Sequence, residues 1–260
     1  MSIAGLLAIA GAVLLIAVAV RLQLVRAEEK RLRLRLANAA RELETLQASF
    51  GRFAPAPVIE RVIANGIESR GEKKEVTVLF ADLVGFTSLA ESIEPTVLVR
   101  ILNGYFERMS RAIVAHRGHV STFLGDGILA LFGALEPNPW QANDAAHAAL
   151  AMQRELASYD EELAASGLPT LQLGIGLHRG SGVAGLVGSR ELVQFAFVGR
   201  VVNVAARTQV LTRELGAPLI VTDAVQETLD PRFRLRELPP THVKGVERPL
   251  VIFALESFEG

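Results

Sequence analysis

Val76-Thr77-Val78-Leu79-Phe80-Ala81-Asp82 and Val120-Ser121-Thr122-Phe123-Leu124-Gly125-Asp126-Gly127-Ile128-Leu129-Ala130-Leu131-Phe132 decide how this chain folds. Residues 76–81 form an apolar, β-branched run, short enough for a strand covered on both faces, and it ends on an aspartate. The second stretch holds two apolar runs, residues 120–124 and 128–132, on either side of Gly-Asp-Gly, which predicts a hairpin with Asp126 at its tip.

Working outward, helices and strands alternate. Leu83-Val84-Gly85-Phe86-Thr87 reads as a loop into helix. Pro95, suited to a first helical turn, opens a longer helix with an apolar stripe at Leu98, Ile101, Leu102, Tyr105, Phe106, Met109 and Ile113. Residues 141–165 read as an alanine-rich helix. Residues 171–178 and 182–187 read as a second hairpin across Arg179-Gly180-Ser181, residues 195–198 as a strand, 201–215 as a helix, and 218–221 and 251–255 as strands. The order predicts an α/β or α+β sandwich, with helices packed on a mostly antiparallel sheet.

The chain has 260 residues and no cysteine, which excludes a disulfide framework, a thiolate metal site and a cysteine nucleophile. A net charge of −1 gives no electrostatic footprint of a nucleic-acid binder, so no nucleic-acid partner is expected. The charge is unevenly placed: residues 1–50 hold seven Lys and Arg against four Asp and Glu, and the remainder is net acidic. Residues 3–20 contain no charge and are apolar or glycine throughout, long enough to span a bilayer. Arg21, Arg26, Lys30, Arg31, Arg33 and Arg35 follow, so the expectation is a single-pass signal anchor in the cytoplasmic membrane with the C-terminal part in the cytoplasm. Ala17-Val18-Ala19 imitates a cleavage site, but the basic segment that precedes a cleaved signal peptide is missing.

Leu22, Val25, Leu32, Leu36, Ala39, Leu43, Leu46 and Phe50 recur in steps of three and four, interrupted at Glu29, and suit a parallel coiled-coil dimer. An amphipathic helix on anionic lipid is the alternative. The expected organisation is a membrane helix over residues 1–20, a dimerising helix over 21–50, a helical linker over 51–71 and a catalytic domain over 72–260.

Chemistry concentrates at Asp82 and Asp126. Two carboxylates at strand ends that one sheet could bring together are suitable oxygen ligands for hard divalent cations. Phe80-Ala81-Asp82-Leu83-Val84-Gly85-Phe86-Thr87 and Phe123-Leu124-Gly125-Asp126 resemble the two metal-aspartate signatures of the class III nucleotidyl cyclases, the adenylate and guanylate cyclase family. Gly199-Arg200-Val201-Val202-Asn203-Val204-Ala205-Ala206-Arg207 resembles its third motif, and Val243-Lys244-Gly245 with Pro249 its C-terminal lysine-glycine element.

The resemblance spans about residues 72–256. It implies a ferredoxin-like βαββαβ core, α+β in class, and a head-to-tail homodimer with shared active sites. It implies that Asp82, Asp126 and the backbone carbonyl of Leu83 bind two divalent cations, Mg²⁺ or Mn²⁺. Gly85, Phe86 and Thr87 follow the first aspartate as nucleotide-binding positions, and Lys244 would meet the β- or γ-phosphate. Asn203 would orient the ribose, and Arg207 would neutralise charge on the α-phosphoryl group. Independently of any family, positions i and i+4 share a helix face and a guanidinium matches phosphoryl oxygens.

The implied activity is conversion of ATP to cyclic AMP and pyrophosphate. In adenylate cyclases of the family a lysine and an aspartate or threonine read the adenine; Thr122 and Ala196 stand there instead, and alanine offers no hydrogen bond. GTP is therefore an alternative substrate, and a cyclase-like regulatory module with weak or no catalysis an alternative role. Arg190 stands near, but not in register with, an arginine common before the third motif. His116, His119, His147, His178 and His242 show no metal-ligand spacing. No P-loop lysine follows the glycine-dense stretch at 174–185, and the Gly-Gly-Asp/Glu-Glu-Phe signature of diguanylate cyclases is absent.

Overall fold

A computed structural model of the chain describes residues 71–189, 193–243, 246 and 248–260, together with scattered helical positions between Arg21 and Arg41. The chain divides into two units, residues 1–56 and 57–260, and the fold described here belongs to the second. The expected membrane span, the linker and most of the expected coiled-coil seam lie outside the described residues. Among the described residues no helix is long and apolar enough to cross a membrane.

The first strand, β1 (Glu72–Leu83), is followed by α1 (Phe86–Ser92) and α2 (Pro95–Ala115). The hairpin β2 (Gly118–Leu124) and β3 (Gly127–Phe132) leads to α3 (Gln141–Ala165) and β4 (Leu173–Gly188). Then come β5 (Val193–Val198), α4 (Arg200–Leu215), β6 (Leu219–Thr222), the single turn α5 (Asp223–Gln226), β7 (Phe233–Thr241) and β8 (Leu250–Phe258). One sheet runs β2-β3-β1-β4-β6-β8-β7, and β5 pairs with β4 off that path. The pairs are antiparallel except β4 with β6. Strands β2-β3-β1-β4 with the helices between them make the βαββαβ arrangement expected from the motifs.

The apolar runs of β1 and β3 are continuous because both faces are covered. Leu79, Ala81 and Leu83, with Ile128, Ala130 and Phe132, face a core completed by α2 and α3. Val76 and Val78, with Leu129 and Leu131, face the opposite core, where Val201 and Ala205 of α4 pack. The period of two assigns each residue of β1 to one side. By that parity Asp82 falls on the α4 side.

Pro95 opens α2, and the Glu94 carboxylate accepts hydrogen bonds from Thr96 N and Val97 N, each at 3.1 Å. On its buried face α2 carries Ile101, Tyr105, Met109, Ala112 and Ile113. Helix α3 keeps the expected bounds, and its Tyr159 hydroxyl donates to Ile101 O at 3.0 Å, tying the two helices together.

One expectation is overturned: residues 171–178 and 182–187 are not the arms of a hairpin. Arg179, Gly180 and Ser181 pair with Thr77, Val76 and Glu75, so β4 continues straight through them as one sixteen-residue strand. The partner β1 correspondingly reaches back to Glu72, and the outer half of β4 pairs with β5. Strand β7 and the turn α5 are absent from the sequence reading. β7 sits at the sheet edge and carries Arg234, Arg236, Glu237, Pro239 and Pro240, a composition that guards an edge and weakens the strand signal.

The glycines of β4 serve close packing. A Cβ on Gly176 would lie 2.3 Å from Gln209 N and 2.8 Å from Ala205 O, so α4 rests on bare backbone. At Gly174 a Cβ would lie 2.2 Å from Thr212 Oγ1. Gly174 pairs with Asp82 and Gly176 with Phe80, so the helix is pressed down where β1 reaches its aspartate. Gly176→Ala should therefore destabilise the fold by about 2 kcal/mol, because backbone atoms rather than a flexible side-chain end must yield. The midpoint of urea unfolding measures this, and an unchanged midpoint would contradict the packing argument.

Candidate active site

Asp82 stands one residue before the end of β1, and Asp126 in the turn joining β2 to β3. Antiparallel pairing of β1 with β3 places these ends side by side, with Ala81 opposite Ile128. Gly125 adopts φ 64°, which its lack of a side chain allows. A Cβ on Gly127 would lie 3.3 Å from Asp82 Oδ1, so glycine there keeps the space the carboxylate occupies.

Burial raises the Asp82 carboxyl from its ordinary 3.8 to about 6; the Asp126 charge and a hydrogen bond with Asp126 push the same way, and Arg213 opposes them. Tyr105 on α2 is fully buried. Its hydroxyl has no hydrogen-bond partner among the described residues, and burial, then the charges of Asp82 and Asp126, raise its pKa.

Arg213, in the last turn of α4, reaches this corner. Its Nη2 donates to Asp82 Oδ2 at 3.0 Å and to the Leu83 carbonyl at 2.7 Å. Two carboxylates and a backbone carbonyl are hard oxygen donors of the kind that magnesium and manganese take. The residues present thus fit a divalent-cation site. Two carboxylates and one carbonyl leave coordination positions for water and phosphate oxygens.

The other expected residues are distributed around this corner. Gly85, at φ 71°, caps α1; Thr87 is exposed, and Phe86 packs partly against the α2/α3 core. Thr122 follows a register shift in β2 and donates to Phe123 O at 3.3 Å, while Ala196 on β5 pairs with Gly185. Asn203 is exposed and Arg207 half-buried on α4, one turn apart. Among the described residues the arginine bonded to Asp82 is Arg213, not Arg207. Lys244, Gly245 and Arg190 lie outside the described residues.

Sequence reading missed Arg213 and the orphaned phenol of Tyr105, which it counted only in the apolar stripe of α2. A basic residue in the last turn of a helix ordinarily complements the helix dipole and signals nothing more. Of the histidines, His178 Nδ1 lies 2.8 Å from Thr222 Oγ1, and burial lowers both His119 and His178 to about 4, as fits residues packed in neutral form.

The description "Adenylate and Guanylate cyclase catalytic domain" matches residues 68–257. The chain belongs to that family. It is 33% identical over 220 residues to an adenylate cyclase of Anabaena cylindrica, covering 80% of this chain and 43% of that protein. It is 30% identical over 224 residues to adenylate cyclase 1 of Rhizobium meliloti (strain 1021), covering 82% of this chain and 34% of that protein. The chain thus spans less than half the length of these curated relatives. Among solved structures, the guanylyl cyclase Cya2 superposes with a TM-score of 0.68 at 32% identity, covering 74% of this chain and 96% of that one. The adenylyl cyclase CyaB from P. aeruginosa superposes at 0.69 with 25% identity, covering 74% and 98%.

Membership makes Asp82 a residue of the catalytic fold, and its environment predicts a pH effect. In the window from 3.8 to about 6 the folded chain retains a proton that the unfolded chain has released. The resulting stabilisation is present at low pH and lost as pH rises through about 6. Asp82→Asn, neutral throughout, should raise the metal-free urea midpoint at pH 8 and leave it nearly unchanged at pH 4. Equal midpoints of variant and parent at pH 8 would show that the ionised carboxylate is not destabilised.

Proposed function

We propose that this chain is a class III adenylate cyclase, converting ATP to 3′,5′-cyclic AMP and pyrophosphate in intracellular signalling, with its active sites shared across a homodimer. The observation that carries the reading is the convergence of Asp82 and Asp126 at the joined ends of β1 and the β2–β3 turn, the two acidic positions of the matched motifs.

On this reading Asp82, Asp126 and the Leu83 carbonyl hold two divalent cations, Mg²⁺ or Mn²⁺. Bound there, such ions supply positive charge that lowers the pKa of the ribose 3′-hydroxyl and neutralises the triphosphate. The 3′-oxygen attacks the α-phosphorus, the bond from that phosphorus to the bridging β-phosphate oxygen breaks, the hydroxyl proton passes to solvent and pyrophosphate leaves. Asn203 of the second subunit orients the ribose through its amide, and Arg207 beside it meets negative charge developing on the α-phosphoryl oxygens with a forked donor pair. Lys244 contacts the β- or γ-phosphate as a point charge. Gly85, Phe86 and Thr87 line the turn next to the first aspartate, and Thr122 and Ala196 flank the base.

A second copy is supported by what one copy leaves open. Phe123 and Leu124 at the end of β2, and Val183, Val187 and Val198 on the β4–β5 ribbon, are apolar and exposed. Asn203 and Arg207 have no hydrogen bond to Asp82, whose partner is Arg213. Residues 3–20 would anchor the dimer in the membrane and residues 21–50 pair as a coiled coil, with residues 72–260 in the cytoplasm. Curated relatives named adenylate cyclases support ATP. GTP is the second reading, favoured by Ala196, which offers adenine no hydrogen bond, and by the likeness to the guanylyl cyclase Cya2.

Purified in detergent and given ATP or GTP with Mn²⁺ or Mg²⁺, the 260-residue chain should release cyclic AMP, and Asp126→Ala should lower turnover at least about 100-fold. Cyclic GMP as the main product would reassign the substrate, and no product from a folded dimer would favour the regulatory-module role. Chains carrying Asp82→Ala and chains carrying Arg207→Ala should each be inactive alone and regain activity when co-expressed, because each mixed dimer retains one intact site. Failure of the mixture to exceed its parents refutes sharing.

A further inference from the structure

Arg213 is absent from the motif-based site, yet it holds the two oxygens that the motifs reserve for a metal ion. One nitrogen, Nη2, donates to both Asp82 Oδ2, at 3.0 Å, and Leu83 O, at 2.7 Å. A cation bridging these atoms stands in the space where a divalent ion shared by the same ligands would stand. Guanidinium and metal cannot occupy it together, since both are positive and both need the same lone pairs.

We propose that Arg213 is a built-in counter-cation of the metal site, which occupies the Asp82 and Leu83 ligands in the substrate-free chain and is displaced when a divalent ion binds. The inference rests on the metal-site reading above. The packing of the fold provides the contact: Gly174, paired with Asp82, lets Thr212 come down onto β4, and Arg213 is the next residue. Its position in the last turn of α4 suits a cation, and its positive charge offsets part of the repulsion between the two carboxylates.

The contact is also reversible. The Arg213 side chain is 44% exposed and that of Asp82 28%, so the guanidinium has a route to solvent and is not locked in the core. Beside it opens a cavity of about 540 Å³ lined in part by Val84, Gln153, Gln172, Gly174 and Thr212. The amide oxygens of Gln153 and Gln172 and the Thr212 hydroxyl in that lining are acceptors of the kind a guanidinium needs.

Metal binding to the nucleotide-free chain then carries the free energy of breaking the Arg213 contacts, which weakens the apparent affinity by the fraction of sites the guanidinium fills. An ion delivered with a nucleotide triphosphate brings additional ligands and anionic charge, so exchange is favoured when substrate arrives. The arginine would thus keep the site from filling with free metal between turnovers.

The test is direct Mn²⁺ binding, read from the loss of the free-ion electron paramagnetic resonance signal, without nucleotide, at pH 8 under argon. The 260-residue chain is compared with Arg213→Gln and Arg213→Met. Either variant should bind Mn²⁺ about tenfold more tightly, the scale of a charge-assisted hydrogen bond between partly exposed groups. At a fixed Mn²⁺ concentration its melting temperature should rise more than the parent's. Adding Asp82→Asn, which removes the carboxylate that Arg213 holds, should abolish the tightening. Equal or weaker binding in both folded variants, or tightening that survives Asp82→Asn, overturns the exchange while leaving the metal site standing. Absence of Mn²⁺ binding in parent and variants alike overturns the exchange and the metal-site reading together.

Discussion

The contact of α4 with the bare backbone of β4 sets most of what this domain can do. Gly174 and Gly176 remove the side chains that ordinarily hold a helix about 10 Å from a sheet, and backbone meets backbone at Gln209 and Ala205. That approach fixes the helix along its axis as well as in height, because Thr212 and Gln209 seat over particular glycines. Since β4 pairs with β1 from Leu173 through Ala184, the position of α4 is transmitted to Asp82 through a single strand register. A slip of one residue would turn Asp82 toward the α2/α3 core and Leu83 toward α4.

At Asp82 packing and electrostatics oppose each other. Packing gathers two carboxylates at a half-buried corner, where desolvation and like charge disfavour ionisation; the raised pKa of Asp82 is the sign of that cost. A stable fold could have relieved it with an amide or an apolar side chain. The corner instead retains both acids and carries one arginine as relief. Groups kept at a cost in stability mark a place where another ligand supplies the compensation, and hard cations are the ligands such oxygens suit.

Local signals carried much of this into the sequence. Strand β1, expected over residues 76–81, runs from Glu72 to Leu83, but the apolar run of β3, the Gly-Asp-Gly turn, Pro95 and the alanine-rich α3 lie close to their observed bounds, because each is specified by its own residues. Strand β4 did not, since a glycine-rich stretch such as Arg179-Gly180-Ser181 reads locally as a turn, and only pairing with Glu75, Val76 and Thr77 holds it extended. β7 escaped because an edge strand protected by charge and proline loses the pattern that would identify it. The two aspartates were legible through their motifs. Arg213 was not: it lies 131 residues from Asp82, and no spacing rule connects a helix end to a strand end across a sheet.

Helix α4 therefore acts in two directions. Its buried side, through Thr208, Gln209 and Thr212, reads the position of β4, and its last turn delivers Arg213 to the aspartate of its own chain. Asn203, by contrast, is exposed, with Val210 exposed two turns on and half-buried Arg207 between them. On the dimer reading these latter residues serve the other subunit's substrate. One rigid helix then couples the two sites: a movement of α4 that shifts Arg213 against one pair of carboxylates also shifts Asn203 and Arg207 in the neighbouring site. The glycine seat on β4 keeps such movement small, because tilting would drive the backbone of Gln209 into Gly176.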